Sequence, residues 1–314
     1  MEREASPGRG RESGARGVFA LGFFPLVLGG ALGGAIWLIG RGTDPGLALL
    51  ATQVPAYLVV ISAERLLPFY ASWKHSKGDL RTDTGHLLTI GATSFGLTPL
   101  LTVAATLAAV ELSRWVDVRL WPQGWHLGAQ LALALVVGEF FQYWVHRLQH
   151  TTDFLWRFHA THHSAPRLYW LNAARFHPLD IALNTTASHL VLIGLGCGPA
   201  VIALHGLFSG VHGILQHCNL PLRLGPLNYV FSMAELHRWH HSRKLAEANH
   251  NYGQNLILWD IVFGTRFLPA GRRPPEEIGI EAMPGFPSGY WAQQLSPFRW
   301  QRVKRESAMA PGQG

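Results

Sequence analysis

The sequence predicts an all-α, integral membrane helical bundle: four spanning helices plus a membrane-dipping hairpin, carrying a cytoplasmic His-rich cap. Three observations predict it. Only 14% of the 314 residues are charged, against about 25% in soluble domains. Several long stretches carry almost no charge. Histidine occurs 17 times, concentrated between His146 and His250, downstream of most of the apolar stretches.

Residues 1–17 are polar, glycine-rich and basic, which predicts a disordered tail. Val18–Gly40 follows without a charge and is long enough for a bilayer core, which takes about 20 residues of helix. A secretory signal has an apolar core of only about 7–15 residues, so a retained helix is expected. Gly46–Ala63 predicts the second span, closing an N-terminal transmembrane hairpin within 18–80. Leu87–Val110 predicts the third and Leu127–Val145 the fourth, which carries one acid, Glu139. Ile181–Gln216 has no Lys or Arg and breaks at Gly194, Gly196, Gly198 and Pro199. Each half is short for a full crossing, so a dipping hairpin is expected. From about residue 220 the chain is less apolar and rich in Trp, Pro and Arg. It predicts short helices and loops on the membrane surface, with the last dozen residues a loose tail.

Lys and Arg set the orientation. The tail, the loop 64–86 and the segment 146–180 are rich in them, and eleven lie after residue 220. The loops 41–45 and 111–126 are poor. The positive-inside rule then places both termini and every histidine cluster on the cytoplasmic side. The net charge of +7 is distributed between apolar segments, which suits an anionic membrane face and not nucleic acid. Two isolated cysteines, Cys197 and Cys218, make neither a disulfide framework nor a zinc ribbon.

Four histidine groups carry the chemistry: His146 with His150; His159, His162 and His163; His212 with His217; and His237, His240 and His241. Residues at i, i+3 and i+4 share a helix face, so three groups project together. His212 and His217 stand about 140° apart on a regular helix and must straddle a helix end or a bulge. Neutral imidazole binds iron, zinc and copper. Ten imidazoles exceed one metal and suit two with about five ligands each. His177 and His250, beside the clusters, are possible accessory ligands. His75, His86, His126, His189 and His205 are expected to be ordinary core or surface residues. Glu139 shares a helix face with Tyr143, His146 and His150. An intramembrane acid is costly and marks function, and ligating histidines commonly donate their second N–H to a carboxylate. Glu139 is therefore expected to orient His146 or a neighbour. Asp153, Asp180, Glu235 and Asp260 are further acids near the clusters.

At these residues the sequence resembles the fatty acid hydroxylase superfamily, also called the sterol desaturase family. The resemblance runs through Glu139-Phe-Phe-Gln-Tyr-Trp-Val-His146, Leu155-Trp-Arg-Phe-His159-Ala-Thr-His162-His163, Arg175-Phe-His177-Pro, His217-Cys-Asn219, Glu235-Leu-His237-Arg-Trp-His240-His241, Asn251-Tyr-Gly253 and Trp259-Asp260 to Thr265. It implies a catalytic domain over 81–268, with 269–314 a C-terminal cytoplasmic tail. It implies two Fe ions held by the ten histidines, O2 as co-substrate, and hydroxylation or desaturation of C–H bonds in a sterol, fatty acyl or related isoprenoid lipid. Electrons would come from a separate cytochrome b5-, ferredoxin- or flavoprotein-type partner. A zinc-dependent membrane hydrolase is the rival enzyme class, but HExxH is absent and such sites use three protein ligands. A membrane haem- or metal-binding electron carrier is the rival non-enzyme class. The adjacent doublets His162-His163 and His240-His241 fit haem poorly.

Overall fold

The computed structural model describes residues 14–97, 100, 103–104, 107, 111 and 120–309. Among them there is no strand; isolated bridges pair Phe231 with Leu256 and Ser242 with Ile278. Two long apolar helices come first, α1 (Gly14–Gly40) and α2 (Pro45–Leu66). The turn between them is set by Asp44, whose carboxylate accepts from the amides of Gly46 and Leu47 at 2.9 and 3.0 Å. That cap, with Pro45 at the first helical position, contributes about 1 kcal/mol. Helix α3 (Leu80–Ala92) follows and ends in a single π turn, Thr93–Leu97. Most of the expected third span, Leu87–Val110, lies outside the described residues. Helices α4 (Leu127–Thr151) and α5 (Asp153–His163) are separated only by the extended Thr152. Helices α6 (Pro178–Gly194) and α7 (Pro199–His217) follow, separated by a short break in which Gly196 adopts φ +89°, a conformation that glycine takes without strain.

Among the described residues, three helices are long and apolar enough to cross a membrane: α1, α2 and α7. The second arm of the hairpin, expected to be too short, is in fact 19 residues long, because it continues to His217. Helix α4 is not among the three. Glu139, Arg147 and a row of buried polar residues dilute its apolar face. Its side chains serve the interior of the protein more than lipid.

Helices α1, α2 and α7 share one core, where Phe24 and Leu28 meet Val60 and Leu204, Leu207, Val211 and Leu215. The core continues into Leu220, Leu222 and Met233, under the histidine-bearing loops. Gly210 lets α7 approach α2, since a Cβ there would stand 3.0 Å from the Tyr57 hydroxyl. Outward, α1 and α2 leave Leu26, Trp37, Leu47 and Leu58 more than half exposed, a surface suited to acyl chains and not to water.

The cap consists of short elements: α8 (Ala234–His240), α9 (Leu245–Ala248), α10 (Leu258–Val262), α11 (Tyr290–Leu295) and α12 (Trp300–Met309), with 3-10 turns between. The segment between α5 and α6 is tied to α3 by buried ion pairs, Arg167 with Asp79 at 2.6 Å and Arg175 with Asp83 at 2.5 Å. The last dozen residues are not a loose tail as far as they are described. Helix α12 runs to Met309 with Val303 and Ser307 buried, and Trp300 donates to Asp153 at 2.9 Å.

Candidate metal centre

Nine of the ten predicted histidines converge in two adjoining groups. His146, His150, His159, His163 and His240 bring one ring nitrogen each within 4.8 Å of one another; His162, His217, His237 and His241 do the same. The rings of His163 and His241 stack at 4.4 Å where the groups meet. Each HxxHH segment is divided between them. Positions i and i+4 enter one group and position i+3 the other: His159 and His163 against His162, and His237 and His241 against His240. On a helix, i+3 and i+4 diverge by 100°, so one turn serves two centres. The expectation that each triplet would face one way is corrected by this angle.

The ring orientations are fixed from outside. Nδ1 of His146 lies 2.6 Å from the carbonyl of Tyr252, and Nδ1 of His240 lies 2.7 Å from the carbonyl of His250. A carbonyl only accepts, so both Nδ1 atoms carry the proton and both Nε2 atoms present lone pairs. Those Nε2 atoms are 3.1 Å apart. His159 repeats the pattern, with Nδ1 3.0 Å from Asp180 and Nε2 3.1 Å from that of His146. Nδ1 of His150 faces Asn249 Oδ1 at 3.3 Å. Burial first, then neighbouring imidazoles, keep His162, His163, His237 and His241 well below the ordinary imidazole range, and burial takes His240 down to about 3. The rings are therefore neutral, and facing lone pairs at 3.1 Å repel unless a cation lies between them.

In the second group, Nε2 of His237 stands 2.9 Å from that of His217 and 3.0 Å from that of His241. Nδ1 of His217 donates to Asn172 Oδ1 at 3.1 Å. The orientation of that amide is set, since Oδ1 also accepts from Tyr169 N while Nδ2 donates to the Arg167 carbonyl. Nδ1 of His162 donates to the Arg175 carbonyl at 3.2 Å. Neutral, buried imidazoles with Nε2 directed inward are a donor set that fits two transition-metal ions.

His212 stands apart from both groups. It lies inside α7 among Phe24, Phe208 and Phe231, and neither ring nitrogen has a hydrogen-bond partner. The angle between His212 and His217 separates them: the helix stays regular, and only its last residue reaches the centre. His177 is not in either group; it caps α6, accepting from Leu179 N at 3.1 Å. His250 contributes its carbonyl to His240, while its ring lies against Phe267.

Glu139 does not touch His146. Its carboxylate accepts from the amides of Gln254 and Asn255, and so holds the loop whose Tyr252 carbonyl orients His146. Asp260 grips the same loop through the amides of Tyr252 and Gly253 at 2.8 and 2.6 Å. Asn251, at φ +56°, completes the loop by bonding Leu236 and Phe267; Asn is among the few residues that visit this region. The carboxylate in direct contact with a cluster histidine is Asp180, and Glu235 instead accepts from Leu224 N and Asn228.

Sequence reasoning missed Glu64. It is buried at the end of α2 and accepts from the amides of Trp170 at 2.9 Å and Asn219 at 3.0 Å. These flank Asn172 and His217. An acid at the end of an apolar stretch was the available signal. Asn172 had none.

A family model described as fatty acid hydroxylase matches residues 131–265. Ornithine lipid hydroxylase OlsE of Rhizobium tropici is 38% identical over 244 residues, 76% of this chain and 72% of that protein. Alkylglycerol monooxygenase of Homo sapiens is 31% identical over 151 residues, 48% of this chain and 34% of that protein. Sphinganine C4-monooxygenase 2 of Arabidopsis thaliana is 29% identical over 162 residues, 50% of this chain and 61% of that protein. The chain thus spans most of the first relative but about a third and three fifths of the other two. No solved structure matches.

Proposed function

Because the chain belongs to the fatty acid hydroxylase family, we propose that it is an O2-dependent di-iron hydroxylase acting on a C–H bond in the long chain of a lipid with a polar head. The observation that carries the reading is the set of inward Nε2 lone pairs, some only 2.9–3.1 Å apart. The names of the relatives, an ornithine lipid hydroxylase, an alkylglycerol monooxygenase and a sphinganine C4-monooxygenase, support hydroxylation over desaturation and chain-bearing amphiphiles over sterols.

One iron would be held by His146, His150, His159, His163 and His240, the other by His162, His217, His237 and His241. Iron bound there would supply reductive activation of O2, with electrons from a separate cytochrome b5-, ferredoxin- or flavoprotein-type donor. The chain's own residues prepare the site. Carbonyls of Tyr252, His250 and Arg175 and the side chains of Asp180 and Asn172 hold protons on Nδ1 and aim Nε2 inward. Burial of all these rings but the half-buried His150 excludes water from the centre. The topology we infer is multi-pass, with the termini and histidine groups on the cytoplasmic side, as the distribution of Lys and Arg favours.

Purified protein assayed for metal, and a lipid extract incubated with it under O2 together with a reduced ferredoxin or cytochrome b5 as electron donor, test this reading. About two irons per chain, no haem absorption, and a lipid product heavier by one oxygen atom are expected. One zinc per chain with hydrolysed lipid would overturn it, as would a haem band.

A further inference from the structure

The C-terminal helices α11 and α12 do not contribute to the histidine groups, yet they build a distinct surface. The 3-10 turn Ser296–Arg299, helix α12 and the start of α5 enclose a cleft of about 580 Å³ lined by Arg157, Arg299, Arg302 and Arg305 and by a single acid, Asp153. That acid is already engaged, by Trp300 Nε1 at 2.9 Å and by Lys304 at 3.1 Å. Arg302 is paired to Glu306 at 2.7 Å, so Arg157, Arg299 and Arg305 carry the positive charge that dominates the cleft. Its rim is aromatic, with Phe154 62% and Phe298 67% exposed, and Arg157 lies 4.0 Å over the Phe154 ring.

The rim is continuous with an apolar helix face. Phe298 is 6.0 Å from the ring of His177, which caps α6. From there Leu179, Leu183 and Leu190 follow along one side of α6, each more than a third exposed. Rings beside cations at the end of an apolar helix face match the boundary of a bilayer, where aromatics sit at headgroup depth and basic residues meet anionic lipid.

We propose that the arginine cleft binds the phosphate of an anionic phospholipid headgroup and seats residues 290–309 on the membrane surface. Charge complementarity selects an anion. Continuity with the outward face of α6 selects a bilayer over an acidic protein, which would have to displace lipid from the exposed rings. The inference is independent of the chemistry at the histidine groups.

Native mass spectrometry of the full chain released from nanodiscs of equal phosphatidylcholine and phosphatidylglycerol tests it. The expected result is retention of phosphatidylglycerol at least several-fold over phosphatidylcholine. The preference should vanish in the double variant Arg299→Gln/Arg305→Gln and return in Arg299→Lys/Arg305→Lys, with metal content unchanged in both. Both positions are exposed, so folding is not at stake. No headgroup preference, or the same preference in the Gln variant, overturns the proposal. Stabilisation by inorganic phosphate alone equal to that by phosphatidylglycerol assigns the cleft to a soluble anion and overturns the membrane role. Binding of a reduced plant-type ferredoxin to the nanodiscs that is lost in the Gln variant, without any lipid preference, assigns it to a protein and also overturns it.

Discussion

The two histidine groups use the same side chain but differ in number and in anchorage. One has five rings, drawn from α4, α5 and α8, and is held by the 249–253 loop and Asp180. The other has four, one of them the last residue of α7, and is held by the 170–175 segment and Asn172. A buried carboxylate secures each: Glu139 on α4 grips the loop beside the first, and Glu64 at the end of α2 grips the amides of Trp170 and Asn219 near the second. The difference teaches that, on the proposed reading, the first group would have a ligand to spare, whereas the second leans on Glu64 of the N-terminal hairpin and would have none in excess.

The largest effect should follow from removing a ring of the four-membered group. His237→Ala is expected to release one of two metals and abolish hydroxylation, while His163→Ala leaves four rings in its group and retains both metals. Metal counting by plasma mass spectrometry checks this, and equal losses would break the asymmetry. Next come the orienting side chains. Asp180→Asn should weaken metal binding at the five-membered group and Asn172→Ala at the four-membered one, each by about 10–100-fold, measured by competition with a chromophoric chelator. Loss at the other group would show that the anchors are shared. Glu64→Leu and Glu139→Leu each strand two buried amides, at about 1–3 kcal/mol apiece. Both should lower the melting temperature, and each should slow metal uptake at its own group alone. The smallest effect belongs to His212→Leu. Metal content should stay the same and stability should hold or rise, because the ring it replaces is buried without a partner. Loss of a metal in this variant would return His212 to the ligands.

Much of this was legible beforehand because histidine spacing is a direct record of helix geometry. The i, i+4 pairs His146/His150, His159/His163 and His237/His241 do enter common groups. The division of i+3 from i+4 was not legible, since one helix alone does not say that two centres flank it. The 140° between His212 and His217 held the information that they part, but not which of them faces the metals. Glu139 was expected to orient His146 or a neighbour directly, yet its partners are backbone amides. Amides leave no mark in a sequence, so an acid that binds them looks the same as one that binds a ring. Spans were read from apolarity, which found α1 and α2. It underrated α7, whose glycines and histidines mask a helix of 19 residues.

His146 and His240 point at each other across 94 positions of chain. During synthesis the first donors leave the ribosome long before the last, and Tyr252, which orients His146, emerges later still. No ion can be fully caged until nearly the whole polypeptide is out and the hairpins have inserted. On the proposed reading metallation becomes a late checkpoint: a truncated or stalled chain would expose a half-ring of imidazoles, and only a finished one would close it.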